Sequence, residues 1–287
     1  MNQLLLQAAK VMVERHAAIP VEAPHAALAS IAMAYFDIDK ASTFLEQALE
    51  EANFPLPLQG VALAHLYQQA KDKQAIQAKL TTWYQTIVQR HRFWYEHQDP
   101  TDEGLPLTPA AEGAIQDPLF LALLVWSNEN LIQVGHLLQT DVLEIIQWNE
   151  LTIFGVNEKL WHAEKQCYQP FNLQTNHFIE GDFVSSFAPL LGEIPTQHQA
   201  ERLLRSFRRA LKQIEQLNIW ECWLLQLGLR RYDFTELADE LREQWLSFIE
   251  ENGFHENFAV QTGKPFLEES GQSLLAASLT IDLFKRC

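Results

Sequence analysis

The sequence predicts an all-α fold, and three observations carry that prediction. Apolar residues recur at helical spacing from one end of the chain to the other. No run of alternating β-branched residues is long enough to propose a sheet. Helix start and stop signals recur between the periodic segments. The helices expected on this basis cover about 2–17, 25–36, 39–52, 57–70, 73–97, 118–138, 141–163, 184–191, 197–213, 218–231, 234–251 and 272–286. Most connections between them are short, which makes successive helices antiparallel neighbours. With neither a tandem repeat nor an interdomain linker, residues 1–287 read as one domain. Six hairpins closed into a ring and an open α-solenoid both fit this pattern, and periodicity does not choose between them.

Local chemistry marks several boundaries. The segment Asp99–Gln116 is rich in Pro, Gly and Thr and reads as a long connection. At its end Asp117 precedes Pro118; the aspartate can accept the free backbone N–H groups of a first helical turn, where proline is also at home. The segment Gln166–Asp182 is the one place where a small extended hairpin is expected. Thr196 with Gln199 three residues on, just after Pro195, starts the helix that carries Leu203, Leu204, Phe207 and Leu211. Leu237, Leu241, Trp245 and Phe248 form the apolar stripe of the next-to-last helix. Asp233 with Glu236 reads as its capping box, and Gly253 as its stop.

Composition excludes several function classes. With 47% hydrophobic and 20% charged residues the chain is ordinary for a folded globule. Its 21 basic residues against 37 acidic ones give a net charge of -16, so a polyanion is repelled at long range and nucleic acid is not an expected partner. The longest apolar run, Leu119–Trp126, falls well short of the roughly 20 residues of a membrane span. Met1–Glu14 carries Lys10 and Glu14 with no cleavage pattern, so no membrane association and a cytoplasmic location are expected. Cys167, Cys222 and Cys287 sit far apart and read as reduced structural thiols. The ten histidines show no HExxH or comparable pair, so neither a metal nor a cofactor is expected.

Local strings add a resemblance. Asn252-Gly-Phe-His-Glu-Asn-Phe258, followed by Gln261-Thr-Gly263, resembles the stretch that carries the catalytic base in glycoside hydrolase family 63 and its mannosylglycerate-hydrolase-like and trehalase-like relatives. Further matches run through Gln116-Asp-Pro-Leu-Phe120, Trp126-Ser-Asn-Glu-Asn130, Asn157-Glu-Lys-Leu-Trp161, Ile194-Pro-Thr-Gln197 and Ala277–Phe284. The likeness covers most of the chain and is weakest over the first hundred residues. It implies an (α/α)6 barrel, a toroid of six helical hairpins as in the six-hairpin glycosidases, with a saccharide held in a cavity at one end of the ring. It further implies inverting hydrolysis of an α-glycoside with Glu256 as general base. That chemistry needs a second carboxyl group as acid, roughly 6.5 to 9.5 Å from the base.

The acid is where the chain departs from its relatives. Their Gly, Asp and Asn cluster before the sixth helix is absent from Leu105–Gln116, which leaves Glu112 and Asp117 as candidates. Asp117 also has its role as a helix cap, and Glu112, between alanine and glycine, also reads as an exposed loop residue. The relatives' Tyr-Trp-Arg-Gly loop is missing too, since Ala210–Asn218 runs straight into Ile219-Trp-Glu-Cys-Trp223. Candidate saccharide contacts are Phe254, Asn257 and Phe258 around Glu256, Trp220 and Trp94 near connections, and His25, with Glu22 as a further polar residue. Trp126, Trp148, Trp161 and Trp245 lie on apolar stripes and read as core. Two functions therefore stay open: a divergent, shortened glycoside hydrolase, and a catalytically degenerate carbohydrate-binding or protein-interaction module on the same fold.

Overall fold

The computed structural model describes residues 3–50, 56–109, 113–266 and 272–286. Among them stand twelve α-helices: α1 (Gln3–His16), α2 (Ala23–Ala34), α3 (Ile38–Glu50), α4 (Gln59–Gln69), α5 (Lys73–His97), α6 (Pro118–Leu137), α7 (Leu143–Lys159), α8 (Phe183–Phe187), α9 (Gln197–Leu211), α10 (Ile219–Arg231), α11 (Thr235–Asn252) and α12 (Leu274–Lys285). A 3-10 turn at Ala188–Gly192 continues α8. The single helix expected at 184–191 is thus a helix of five residues and a tighter turn. Pro189 is the physical reason, because it has no N–H to donate to an α-helical ladder.

The even-numbered helices form an inner ring. α2 packs on α4, α4 on α6, α6 on the Ala188–Gly192 turn, the turn on α10, α10 on α12, and α12 back on α2. That last pairing closes the circle and excludes the open solenoid. The inner helices also pack on adjacent odd-numbered ones, as α2 does on α3, α6 on α7, α8 on α9 and α10 on α11. The architecture is the all-α (α/α)6 barrel.

Sequence explains which helix goes inside. In α2 (APHAALASIAMA) and α12 (LLAASLTIDLFK) ten of twelve residues are buried, since a helix apolar on every side must be covered on every side. Outer α9 (QHQAERLLRSFRRAL) buries only Ala200, Leu203 and Phe207 along one stripe. Small residues set the ring's tight points: a Cβ added at Gly228 of α10 would lie 2.9 Å from the Cβ of Leu190. Trp126 and Trp245 are buried, and Trp148 and Trp161 pack half-buried against the core.

At the end of the ring where the inner helices finish, a buried carboxylate gathers three of them. Asp282 of α12 accepts hydrogen bonds from Tyr35 Oη (2.8 Å), beside the end of α2, and from Trp223 Nε1 of α10 (2.7 Å). Arg286 adds an ion pair at 2.7 Å. Burial alone would raise the Asp282 carboxyl, but Arg286 outweighs it and holds the group below the usual carboxylate range.

Short strands decorate the connections. β1 (Ile115–Gln116), β4 (Phe171–Asn172) and β5 (His177–Phe178) form an antiparallel three-stranded sheet, and β2 (Trp161–His162) pairs with β3 (Cys167–Tyr168). The hairpin expected within 166–182 is therefore the β4–β5 pair. An unexpected third ladder joins β6 (Gln216–Asn218) to β7 (Asn257–Ala259). Three residues a side are too few to show a strand period in sequence.

The caps sort the predicted boundaries. The Thr196–Gln199 capping box is present, Asp117 caps α6, and Gly253 ends α11 with φ +93°. The capping box at Asp233 and Glu236 is corrected. Asp233 has φ +60°, its N–H bonds to Arg230 O, and Phe234 N–H bonds to Leu229 O. That residue is taken up by a Schellman turn closing α10, so it is unavailable to open α11. No helix among the described residues is long and apolar enough to cross a membrane.

Candidate functional site

A cavity of about 520 Å³ opens where the inner helices begin. Pro24, His25 and Leu28 come from the start of α2, Leu56 from just before α4, and Leu119 from the start of α6. Asp182 and Val184 come from the start of α8, Trp220 and Glu221 from the start of α10, and Leu275 from the start of α12. The β6–β7 ladder adds Gln216, Asn218 and Asn257.

Backbone pairing positions the amides. Asn218 lies opposite Asn257 in the ladder, and both Asn218 Nδ2 (3.1 Å) and Gln216 Nε2 (2.9 Å) donate to Asn257 Oδ1. Asn218 is at the same time the N-cap of α10: its Oδ1 accepts from Trp220 N–H at 2.7 Å, while Glu221 reaches back to Asn218 N–H at 2.9 Å. This reciprocal box fixes the first turn of α10, where Trp220 stacks on Trp223 with ring centroids 5.5 Å apart. A half-buried indole thereby lines a cavity also walled by amide groups.

The carboxylates at this end are also helix caps. Asp182 Oδ1 accepts from Ser185 N–H at 2.7 Å at the start of α8, and Asp117 Oδ1 accepts from Leu119 N–H at 2.9 Å at the start of α6. Burial raises the Asp117 carboxyl above its usual range, partly offset by its bonds to Leu119 and Ser185. Burial raises Glu221 likewise, and the negative charge of Asp182 adds to the effect. Glu256 is half-buried; its carboxylate accepts from the hydroxyl of Ser273, the N-cap of α12, and its carbonyl oxygen accepts from Ile219 N–H at 2.8 Å.

The sequence-nominated residues divide on this geometry. Trp220, Asn257 and His25 line the cavity, whereas Glu256 and Asp117 stand beside lining residues without being among them. Phe254 and Phe258 are core residues instead of cavity walls, since Phe258 is fully buried and meets Trp245 edge-on at 5.2 Å. Successive residues of β7 face opposite sides, so the strand that presents Asn257 to the cavity turns Phe258 inward. Trp94 is likewise corrected to core: it is buried between His91 and Phe120, at centroid distances of 5.2 and 5.5 Å. Glu22 is an exposed residue before α2 with no side-chain capping bond. Glu112 lies outside the described residues. Sequence reasoning missed Asp182, Glu221, Gln216 and Asn218, although Asp182-x-x-Ser185 and Asn218-x-x-Glu221 carry helix-start signals. No group of three or more His, Cys, Asp or Glu among the described residues is placed to hold a metal.

Comparison with known proteins agrees with this architecture. Residues 107–213 match the family model described as the mannosylglycerate hydrolase MGH1-like glycoside hydrolase domain. The mannosylglycerate hydrolase of Rubrobacter radiotolerans is 27% identical over 174 residues, 52% of this chain and 39% of that protein. That of Thermus thermophilus is 28% identical over 171 residues, 52% of this chain and 41% of that protein. The matches thus span about two fifths of the length of these relatives. Among solved structures, a glycoside hydrolase family 63 mannosylglycerate hydrolase from Thermus thermophilus in complex with glucose superposes with a TM-score of 0.85 at 18% identity, covering 99% of this chain and 100% of that one. Neutral trehalase from Saccharomyces cerevisiae superposes at 0.69 and 10% identity, over 92% of this chain and 71% of that one. Over residues 107–213 the sequence is thus similar to the mannosylglycerate hydrolase MGH1-like domain, and around the whole ring the fold is similar to that of a glycoside hydrolase family 63 mannosylglycerate hydrolase.

Proposed function

We propose that the chain is a glycoside hydrolase-like carbohydrate binder whose cavity holds a small saccharide and whose hydrolysis of α-glycosides is weak. The observation that carries this reading is the cavity itself, in which the Trp220 indole stands beside the amides of Gln216, Asn218 and Asn257. A pyranose presents a C–H face that packs on an aromatic ring and hydroxyls that both donate to and accept from amides. A volume of about 520 Å³ falls in the ordinary range for a small-molecule site. Solved structures of the Thermus thermophilus relative contain glucose in one case and Tris with D-glycerate in another.

Weak turnover follows from the state of the carboxyl groups. An inverting glycosidase sets an acid across the scissile bond from its base, at roughly 6.5 to 9.5 Å. Here Asp117, Asp182 and Glu221 each accept a backbone N–H as part of a helix start, and Glu256 is engaged by Ser273. General acid assistance is worth about 10²- to 10⁴-fold, so a misplaced acid suppresses hydrolysis while leaving binding possible. Calorimetric titration with glucose, trehalose, and methyl α-glucoside and α-mannoside, run beside turnover assays on α-glucosides, α-mannosides and trehalose, tests this. Saccharide binding with little turnover is the expected result; absence of both would replace the reading with a protein-interaction scaffold.

A second reading, a full inverting glycosidase with Glu256 as base and Asp117 as acid, is favoured by one observation. The Asp117 carboxyl is raised by burial, as suits a proton donor, and it caps α6 at the same end of the ring as Glu256. Glu112 is the other candidate acid. Turnover comparable with ordinary glycosidases, abolished by Glu256→Gln and by either Asp117→Asn or Glu112→Gln, would establish that reading.

A further inference from the structure

We infer that the cavity, taken as the saccharide site proposed above, selects an amino sugar, a hexosamine whose ammonium group is held by Asp182 and Glu221. Both residues line the cavity, and the charge of Asp182 is felt at Glu221. Each caps a helix through one carboxylate oxygen, Oδ1 of Asp182 toward Ser185 N–H and Oε2 of Glu221 toward Asn218 N–H. The second oxygen of each has no bond to a capping N–H and retains acceptor capacity.

Nothing basic balances them in the wall. Among the described lining residues there is no lysine or arginine, and His25 is the one side chain able to become cationic. Helix starts do carry positive partial charge, about half a unit each. Against this stand the carboxylates of Asp117 and Asp182 capping α6 and α8, Glu221 in the first turn of α10, and Glu256 on the cap of α12. The partial charges of the six inner helix starts offset part of this, and the described lining itself holds two carboxylates, Asp182 and Glu221, with neither lysine nor arginine. Such a cavity disfavours an anionic group of the kind represented by the D-glycerate bound to the Thermus thermophilus relative. It rewards a ligand that presents hydroxyls to the amides, a ring face to Trp220 and an ammonium to the two carboxylates.

Calorimetric titration of the full chain at pH 6.5 with glucosamine, N-acetylglucosamine, glucose and glucuronate separates charge from shape. Glucosamine should bind about tenfold tighter than glucose or N-acetylglucosamine, with glucuronate weakest, and added salt should erode the preference. Asp182→Asn and Glu221→Gln keep an acceptor for each capping N–H, and each should bring the glucosamine-to-glucose affinity ratio toward one. Equal affinity for glucose and glucosamine, tighter binding of glucuronate, or a ratio unchanged in both variants would overturn the inference while the saccharide site stands. Failure of all four sugars to bind would overturn the site and the inference together.

Discussion

Trp220 stands at the cavity because of a backbone event, the capping box that starts α10, and not because an aromatic stripe placed it there. Its ring also stacks on Trp223, so Trp220→Ala removes a cavity wall without emptying the core. Saccharide affinity should fall about tenfold, near 1.4 kcal/mol, by calorimetry, with little change in thermal stability. Asp282 is the contrasting residue, structural and fully committed. Asp282→Leu strands the Tyr35 hydroxyl and the Trp223 indole N–H, and should cost about 2–5 kcal/mol in denaturant unfolding. At this scale the sequence was legible where chemistry is local. The Asp117 cap and the Thr196 box are read directly from neighbours in the chain. Trp94 was not, because its partner Phe120 lies on another helix, and a tryptophan near a connection looks the same whether it faces a cavity or the core. Asp182 and Glu221 escaped notice because the cavity they line is assembled from α2, α6, α10 and α12, far apart in sequence.

Among elements, the five-residue Ala188–Gly192 turn is the ring's shortest station, wedged between α6 and α10. Alanine at Gly228 would gain about 1 kcal/mol in helix propensity. It would also place a Cβ 2.9 Å from Leu190 Cβ and 3.0 Å from Leu191 N, and overpacking against backbone costs about 1–3 kcal/mol. Gly228→Ala should therefore lower the unfolding free energy by about 1 kcal/mol, and a rise would show that the turn yields easily. The extents of most helices follow from apolar periodicity, which reports a helix whether it sits inside or outside. The β6–β7 ladder does not, since two three-residue runs carry no period and their pairing depends on ring closure bringing residues 216–218 beside 257–259.

Over the whole molecule, two buried histidines add an acid-sensitive contribution to stability. Burial pushes His91 down to about 4, opposed by its bond to Asn128, and burial also pushes His65 down to about 4. In the unfolded chain both take up protons near their ordinary value of 6.5. At these two sites the unfolded state then binds more protons than the folded one, so their contribution to stability is level above that value and falls as pH drops from 6.5 toward 4. Urea midpoints measured across this window should show the slope, and His65→Gln with His91→Gln should flatten it. The ring itself was only half legible: helical spacing supplied the hairpins, whereas closure depends on α12 meeting α2, a contact between opposite ends of the described chain that no local pattern encodes.

Closure also changes how the molecule can come apart. A linear stack of hairpins has two terminal units, each covered on one side only, and loses structure from those inward. A circle has no terminal unit. Because α12 returns to α2, every inner helix keeps a neighbour on both flanks, and the first opening has to break two interfaces wherever it occurs. Amide exchange should accordingly show α2 and α12 protected to the same degree as α4 and α6, with a single weak point at the Ala188–Gly192 turn, where the inner element is shortest. A gradient of protection rising from α2 and α12 toward the middle of the chain would mean that the circle behaves in solution as a strip.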